Sequence, residues 1–224
     1  FSHAAVVDAE AVRDSFRPED TAVFSLPHDY AALRKLPGQL VFHCQGTDPL
    51  IDPILANSSV QVLTCWRQAT EYVQTHSVIN PIEVGISITS SFFYAGVPKF
   101  ENAVAYMPRR GGYLCDEVKR AYASKRYIAI DNICEAEVAR IMQYSSIYLA
   151  TAEHEWFGLP ALEAMAAGCL VVSLPVLGGM EYLDDGVNCR IVKSQDFVGA
   201  VGELLQEQCA GLRFRMRQAA VATA

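Results

Sequence analysis

Glu155 and Glu163 stand eight positions apart, on either side of the turn Phe157-Gly158-Leu159-Pro160. The helix-forming run ALEAMAAG follows, so this turn reads as a helix start, with Pro160 in the first turn and Gly168 at the close. A helix start presents unpaired N–H groups and a partial positive charge, which suit an anionic ligand, and Gly158 lets a ligand come close to the backbone. A carboxylate about one turn into such a helix, as Glu163 is, can accept two hydrogen bonds from a vicinal diol of the ribose kind. Glu155, in the loop before the turn, could hold a second hydroxylated group. A plainer reading has Glu163 capping the helix and Glu155 solvated, and helix arithmetic leaves both open.

A second constellation is Arg109-Arg110 in the glycine-rich loop PRRGG at 108–112, directly after an apolar run. Guanidinium groups pair bidentately with phosphate oxygens, so two of them at a strand end can clamp a pyrophosphate; a basic surface turn is the alternative. His43 ends the run QLVFHC, where it could sit beside a reacting group or serve packing alone. His28 follows an earlier apolar run, and His154 lies in the loop of Glu155, at the ligand or at its rim. Lys119, Lys125 and Arg126 read as solvated charges on a helix and a strand end.

The elements that must position these residues alternate in a regular way. SIYLA at 146–150 is a strand-type run, the polar loop TAEHEW and the FGLP helix follow, and CLVVSL at 169–174 is a second buried-type strand before Gly178-Gly179. That is a strand–loop–helix–strand unit of a parallel sheet, whose ligand loops lie at strand ends. Upstream, AAVV (4–7), TAVFSL (21–26), QLVFHC (39–44), VQVLTC (60–65) and PIEVGISI (81–88) are strand candidates, with HDYAALRKL and WRQATEYVQTH as helices between them. SSFFYAGVPKF at 90–100 carries Gly96 and Pro98 and breaks the alternation. It places a domain boundary near 95–102, with residues 1–97 as one α/β domain and 98–224 as another. In the second, AVAYM, RYIAI and CRIV are strands, and YLCDEVKRAYAS, CEAEVARIMQYS, DFVGAVGELLQEQ and the basic-edged tail are helices.

Composition narrows the class. About half of the 224 residues are apolar, with no run long enough to span a membrane, so a soluble globular protein is expected. The opening FSHAAVVDAEAV lacks the basic start and long apolar run of a signal peptide. A net charge of −7 does not suit a broad nucleic-acid surface. Seven scattered cysteines without a CxxC pair read as reduced thiols of a cytoplasmic protein, not as a zinc site or disulfide framework.

The stretch EHEWFGLPALEAMAAGCLVV resembles the E-x7-E signature of retaining GT-B glycosyltransferases, especially the family 4 (group 1) enzymes. It places Glu155 and Glu163 on the two glutamates and departs at Leu170, where proline is usual. GGMEYLDDGVNCRIV resembles the family's downstream glycine segment, without its second glycine near Cys189 or Arg190. AYMPRRGG is similar to the Arg…Lys pair after the first strand of the family's C-terminal domain, with Arg110 near the lysine position. QLVFHCQGTDP resembles the acceptor-side strand that ends in a histidine, here His43. IEVGISITSSFF is similar to the passage out of the N-terminal domain, without its asparagine.

The resemblance implies an α/β protein of GT-B type, with two Rossmann-like parallel-sheet domains facing a cleft. Residues 1–97 would be an abbreviated acceptor-side domain, lacking the family's opening glycine-rich loop, and 98–224 the donor domain. Glu163 would bind the donor ribose and Glu155 the donor sugar, with Phe157, Gly158, Leu159, Gly178, Gly179 and Glu181 also at the donor. Arg109 and Arg110 would neutralise the leaving diphosphate, and His43 would lie near the reacting sugar. The implied activity is a retaining, metal-independent hexosyl or related transfer from a nucleotide-diphosphate sugar, with no cofactor and no metal site. The acceptor would be a polysaccharide, a lipid-linked glycan or a natural product. No nucleic-acid partner is implied; association with a partner subunit or with the inner face of the membrane is compatible. A non-catalytic or partner-dependent nucleotide-sugar binder and a sugar-nucleotide epimerase are the alternatives. A glycosidase is not, since its acid and nucleophile must face each other across one sugar, and the sequence offers no such pair.

Overall fold

The computed structural model describes residues 15–153, 155–206 and 209–224. The strand candidate at 4–7 lies outside the described residues. The chain forms two compact units, Phe1–Ile86 and Ser87–Ala224. No helix among the described residues is long and apolar enough to cross a membrane.

Among the described residues of the first unit the strands are β1 (Thr21–Phe24), β2 (Gln39–Cys44), β3 (Val60–Thr64) and β4 (Ile82–Glu83). The helices between them are α1 (Tyr30–Leu33), α2 (Asp52–Leu55) and α3 (Arg67–His76). All four strands are parallel, in the order β1-β2-β3-β4. Leu40, Phe42 and Cys44 of β2 are buried beside Val60, Val62 and Thr64 of β3, each alternating with a partly exposed neighbour. That period of two is what a strand with one face in the core requires. The run expected as a fifth strand yields only the short β4, followed by a single further bond from the Val84 N–H to the Thr64 carbonyl. Gly85, at φ +71°, then turns the chain out of extended backbone.

The second unit contains β5 (Phe100–Tyr106), α4 (Gly112–Ala121), β6 (Arg126–Ala129), α5 (Glu135–Tyr144) and β7 (Ser145–Ala150). It continues with α6 (Leu159–Ala166), β8 (Leu170–Ser173), β9 (Arg190–Ile191), α7 (Phe197–Leu205) and α8 (Ala210–Thr223). The five strands are parallel, in the order β6-β5-β7-β8-β9. Both faces of the sheet are covered, which explains the unbroken apolar runs. Ile147, Leu149, Leu170 and Val172 lie in a core with Leu114, Val118, Phe197 and Leu204 from α4 and α7. Tyr148 and Val171 point into the opposite core with Met142 of α5 and Met165 of α6. Complete burial of one such side chain contributes about 1.5–3 kcal/mol.

The units divide between Ile86 and Ser87, earlier than the sequence reading of 97/98. Tertiary contacts that no local pattern encodes draw the intervening segment onto the second unit. Phe92 is buried in the core with Met142 and Met165, the Tyr94 N–H donates to the Ala166 carbonyl (2.9 Å), and Gln143 Nε2 donates to the carbonyls of Ser91 (2.9 Å) and Phe93 (3.0 Å). Lys99 Nζ donates to the carbonyls of Met142 and Ala167, at the C-terminal ends of α5 and α6. Removal from water at that position lowers its pKa to about 8.

Candidate functional site

The parallel sheet of the second unit delivers the chemistry-bearing loops to one end, beyond β5, β7 and β8. An open pocket of about 580 Å³ lies there, lined by Arg109 and Arg110 after β5, by Tyr148, Thr151 and Glu155 on β7 and its loop, and by Gly158 at the start of α6. Every residue lining it belongs to the second unit.

Gly158 takes φ +80° and forms the N-cap of α6, with Leu159 and Pro160 in the first turn as expected. Its left-handed backbone turns the loop sharply into the helix; Pro160 has no N–H and those of Ala161 and Leu162 donate to the Gly158 carbonyl, which leaves the Leu159 N–H as the one in the first turn without an intrahelical acceptor. The Tyr182 hydroxyl donates to the Gly158 carbonyl at 2.7 Å and lies 3.2 Å from that of Phe157, while the Tyr182 and Phe157 rings stand 5.1 Å apart. Gly178 and Gly179 are buried in a 3-10 turn, Gly178–Glu181. A Cβ on Gly179 would come within 2.0 Å of Val176 Cγ2, so the second glycine is a packing requirement. Glu181 points to solvent and makes no ion pair among the described residues.

Glu163 sits one turn into α6 and is half-buried. Its carboxyl makes no hydrogen bond or ion pair among the described residues, and α6 has no side-chain cap, so the capping reading falls. Burial pushes its pKa up to about 7, with Glu135 adding to the rise. Glu163 in turn helps raise the hydroxyls of Tyr148 and Tyr182, both held neutral chiefly by burial. Glu155 is not merely solvated: its Oε2 lies 3.2 Å from Arg110 Nη1. Arg109 is exposed at the pocket and has no ion-pair partner among the described residues.

Other candidates lie elsewhere. His43 is on β2 of the first unit, half-buried, with Nδ1 3.4 Å from Gln45 Nε2. His28 is exposed beside Asp29. His154 lies outside the described residues. Lys119 is not simply solvated, since it pairs with Asp116 (3.0 Å) and lies 4.3 Å from the centre of the Tyr106 ring. No cluster of three or more His, Cys, Asp or Glu side chains able to hold a metal occurs among the described residues.

Three features of the site were not read from the sequence. Thr151 donates from Oγ1 to the Arg110 carbonyl (3.0 Å), Tyr182 braces the helix start, and Tyr113 donates to Glu153 Oε1 (2.7 Å) at the beginning of α4. The position of Thr151 at the end of a central parallel strand was the one available pointer to any of them.

Residues 113–222 match the family model described as glycosyl transferases group 1. Over 67 residues the chain is 36% identical to an alpha-1,6-glucosyltransferase of Actinobacillus pleuropneumoniae serotype 7, a match that spans 29% of this chain and 20% of that protein. Among solved structures, it resembles a mutant S. aureus TarM in complex with Fondaparinux, alpha-GlcNAc-glycerol and UDP (TM-score 0.75, 11% identity, 96% of this chain and 54% of TarM). It also resembles the pneumococcal O-GlcNAc transferase GtfA in complex with UDP and GlcNAc (0.69, 14%, 96% and 55%) and Anabaena HepE in complex with UDP (0.68, 12%, 96% and 75%). The chain thus spans about half the length of TarM and GtfA. Its fold is that of the GT-B glycosyltransferases, and its residues 113–222, close to half of the chain, are similar to the group 1 glycosyl transferases.

Proposed function

We propose that this protein is a retaining glycosyltransferase that moves a hexose or related sugar from a nucleotide-diphosphate sugar to a glycan or lipid-linked acceptor, without a catalytic metal. The observation that carries this reading is the convergence, in one pocket of the second unit, of two arginines, the start of α6 and Glu155, with Glu163 one turn along the helix. Such a site has anion-binding groups for a diphosphate and carboxylates for hydroxyls, side by side.

In this reading Glu163 accepts hydrogen bonds from the ribose diol. A carboxyl with a pKa near 7 must be ionised to do so, so donor binding draws off its proton at neutral pH. Arg109, Arg110 and the N–H groups from Phe157 to Leu159 neutralise the departing diphosphate, which stabilises charge as it develops. Glu155 exchanges Arg110 for the donor sugar. Gly178, Gly179 and Glu181 complete the donor wall. The first unit serves the acceptor, with His43 as its candidate group. UDP is the first nucleotide to try, because TarM, GtfA and HepE are each described in complex with it.

Calorimetry with UDP, GDP, ADP and TDP, followed by transfer assays with the corresponding sugars, tests the proposal. Saturable binding of one nucleoside diphosphate and acceptor-dependent transfer of an α-configured sugar from an α-configured donor are expected. Binding of none of the four would sink the donor-site assignment, and conversion of the donor without an acceptor would make the protein an epimerase.

A further inference from the structure

Thr151 is 2% exposed and occupies the joint between two loops of the pocket, that carrying Arg109 and Arg110 and that carrying Glu155. Its hydroxyl donates to the Arg110 carbonyl at 3.0 Å. The backbone of the arginine loop rides directly on it: a Cβ at Gly111, which has φ +66°, would fall 1.8 Å from the Thr151 carbonyl oxygen. The Thr151 hydroxyl has one hydrogen, given to Arg110, so the nearby Cys115 thiol (Sγ to Oγ1, 3.6 Å) must donate to Thr151. Burial raises the Cys115 pKa and keeps the thiol protonated for that role. α4, the arginine loop and the end of β7 are therefore joined by one short chain of hydrogen bonds. Four positions beyond Thr151 stands Glu155, whose carboxylate meets the Arg110 guanidinium.

We infer that Thr151 is a positioning residue for diphosphate recognition: through its bond to the Arg110 carbonyl it fixes the height of the Arg109–Arg110 loop over the pocket, and so sets the preference for a nucleoside diphosphate over a monophosphate. The inference rests on the donor-site reading above. Thr151 acts on the donor through the loop that carries the arginines. Valine keeps the branched shape and loses the hydroxyl, whereas serine keeps the hydroxyl and loses a methyl.

The test is calorimetry of UDP and UMP on the full 224-residue chain and on its Thr151→Val and Thr151→Ser variants. UMP shares the base, ribose and first phosphate with UDP, so its affinity reports an intact pocket. Thr151→Val should weaken UDP about tenfold, the worth of one hydrogen bond, and leave UMP within about threefold. Thr151→Ser should bind both like the parent. Thr151→Ala serves in the same comparison if the valine variant does not fold. Equal loss of UDP and UMP, no loss of either, or a serine variant as weak as the valine one would each overturn the inference and leave the donor site standing. A parent chain that binds no UDP removes the donor-site reading and this inference together.

Discussion

The Arg110 guanidinium and the Glu155 carboxylate, 45 residues apart in sequence, meet at 3.2 Å across the mouth of the pocket. Their side chains are 55% and 26% exposed, so the pair adds little to stability, below about 1 kcal/mol. What it does is set opposite charges side by side at the pocket. In the donor-site reading proposed above, a diphosphate that draws Arg110 away from Glu155 frees that carboxylate for a sugar hydroxyl.

Glu155→Gln separates these roles. Its unfolding free energy should stay within about 1 kcal/mol of the parent. UDP affinity should hold or rise, because Arg110 is released, while transfer falls by about 10–100-fold for want of a charged hydrogen bond to the sugar. Calorimetry and initial rates on one preparation read both effects. A variant that transfers at the parental rate would remove Glu155 from the mechanism.

Glu163 should leave its mark on pH dependence. A carboxyl with a pKa near 4.3 in the unfolded chain and about 7 in the folded one binds more protons when folded, so its contribution to stability is full below pH 4 and is lost as pH rises towards 7. Glu163→Gln should therefore be more stable than the parent at pH 8, by about 1–3 kcal/mol, with the gap closing near pH 4–5. The same variant should bind UDP about 1–3 kcal/mol less tightly at pH 8. Urea titrations at pH 5 and pH 8 check the first statement and calorimetry the second; equal stability gaps at the two pH values would contradict the assigned burial.

Adjacent glycines should behave differently. Gly111→Ala forces a left-handed alanine against the Thr151 carbonyl, and should cost about 3 kcal/mol or more and disable the arginine loop. Gly112 begins α4 with nothing within 4 Å of a new Cβ, so Gly112→Ala should be neutral or stabilising by up to about 1 kcal/mol. Thermal melts of the two variants make the comparison.

The division at Ile86/Ser87 predicts where the chain can be cut. A fragment of residues 87–224 has its own core and should fold and bind nucleotide. One that begins at residue 98 loses Phe92 from that core and the Tyr94 bond to the Ala166 carbonyl, and should be less stable by at least about 2 kcal/mol. Urea midpoints of the two fragments test it.

Much of this was legible because the elements carry local instructions. QLVFHC became β2 without a change of boundary, and Pro160 and Gly168 bracket α6, with Gly168 at φ +77° as its closing residue. The Glu155–Glu163 spacing and the PRRGG loop could be read because parallel sheets gather their loops at one end. Thr151 and Tyr182 were not legible. Each acts through a carbonyl 41 or 24 residues away, and any residue type offers a carbonyl, so no spacing announces them. The burial of Phe92 is hidden for a similar reason: an aromatic run with Gly and Pro reads as a linker until the core it fills is known.

Among the described residues every strand pairing in both sheets is parallel, with no hairpin among them. At the centre of the second unit Ala105 meets Tyr148, and that contact brackets α4, β6 and α5. The strands that carry the two halves of the pocket therefore cannot find each other by local search. Loop closure must be completed before their contacts repay it, which places this chain among slow folders. Until β5 joins it, the apolar β7 is an open edge, and it is during synthesis or refolding, rather than in the finished molecule, that this protein is most exposed to aggregation.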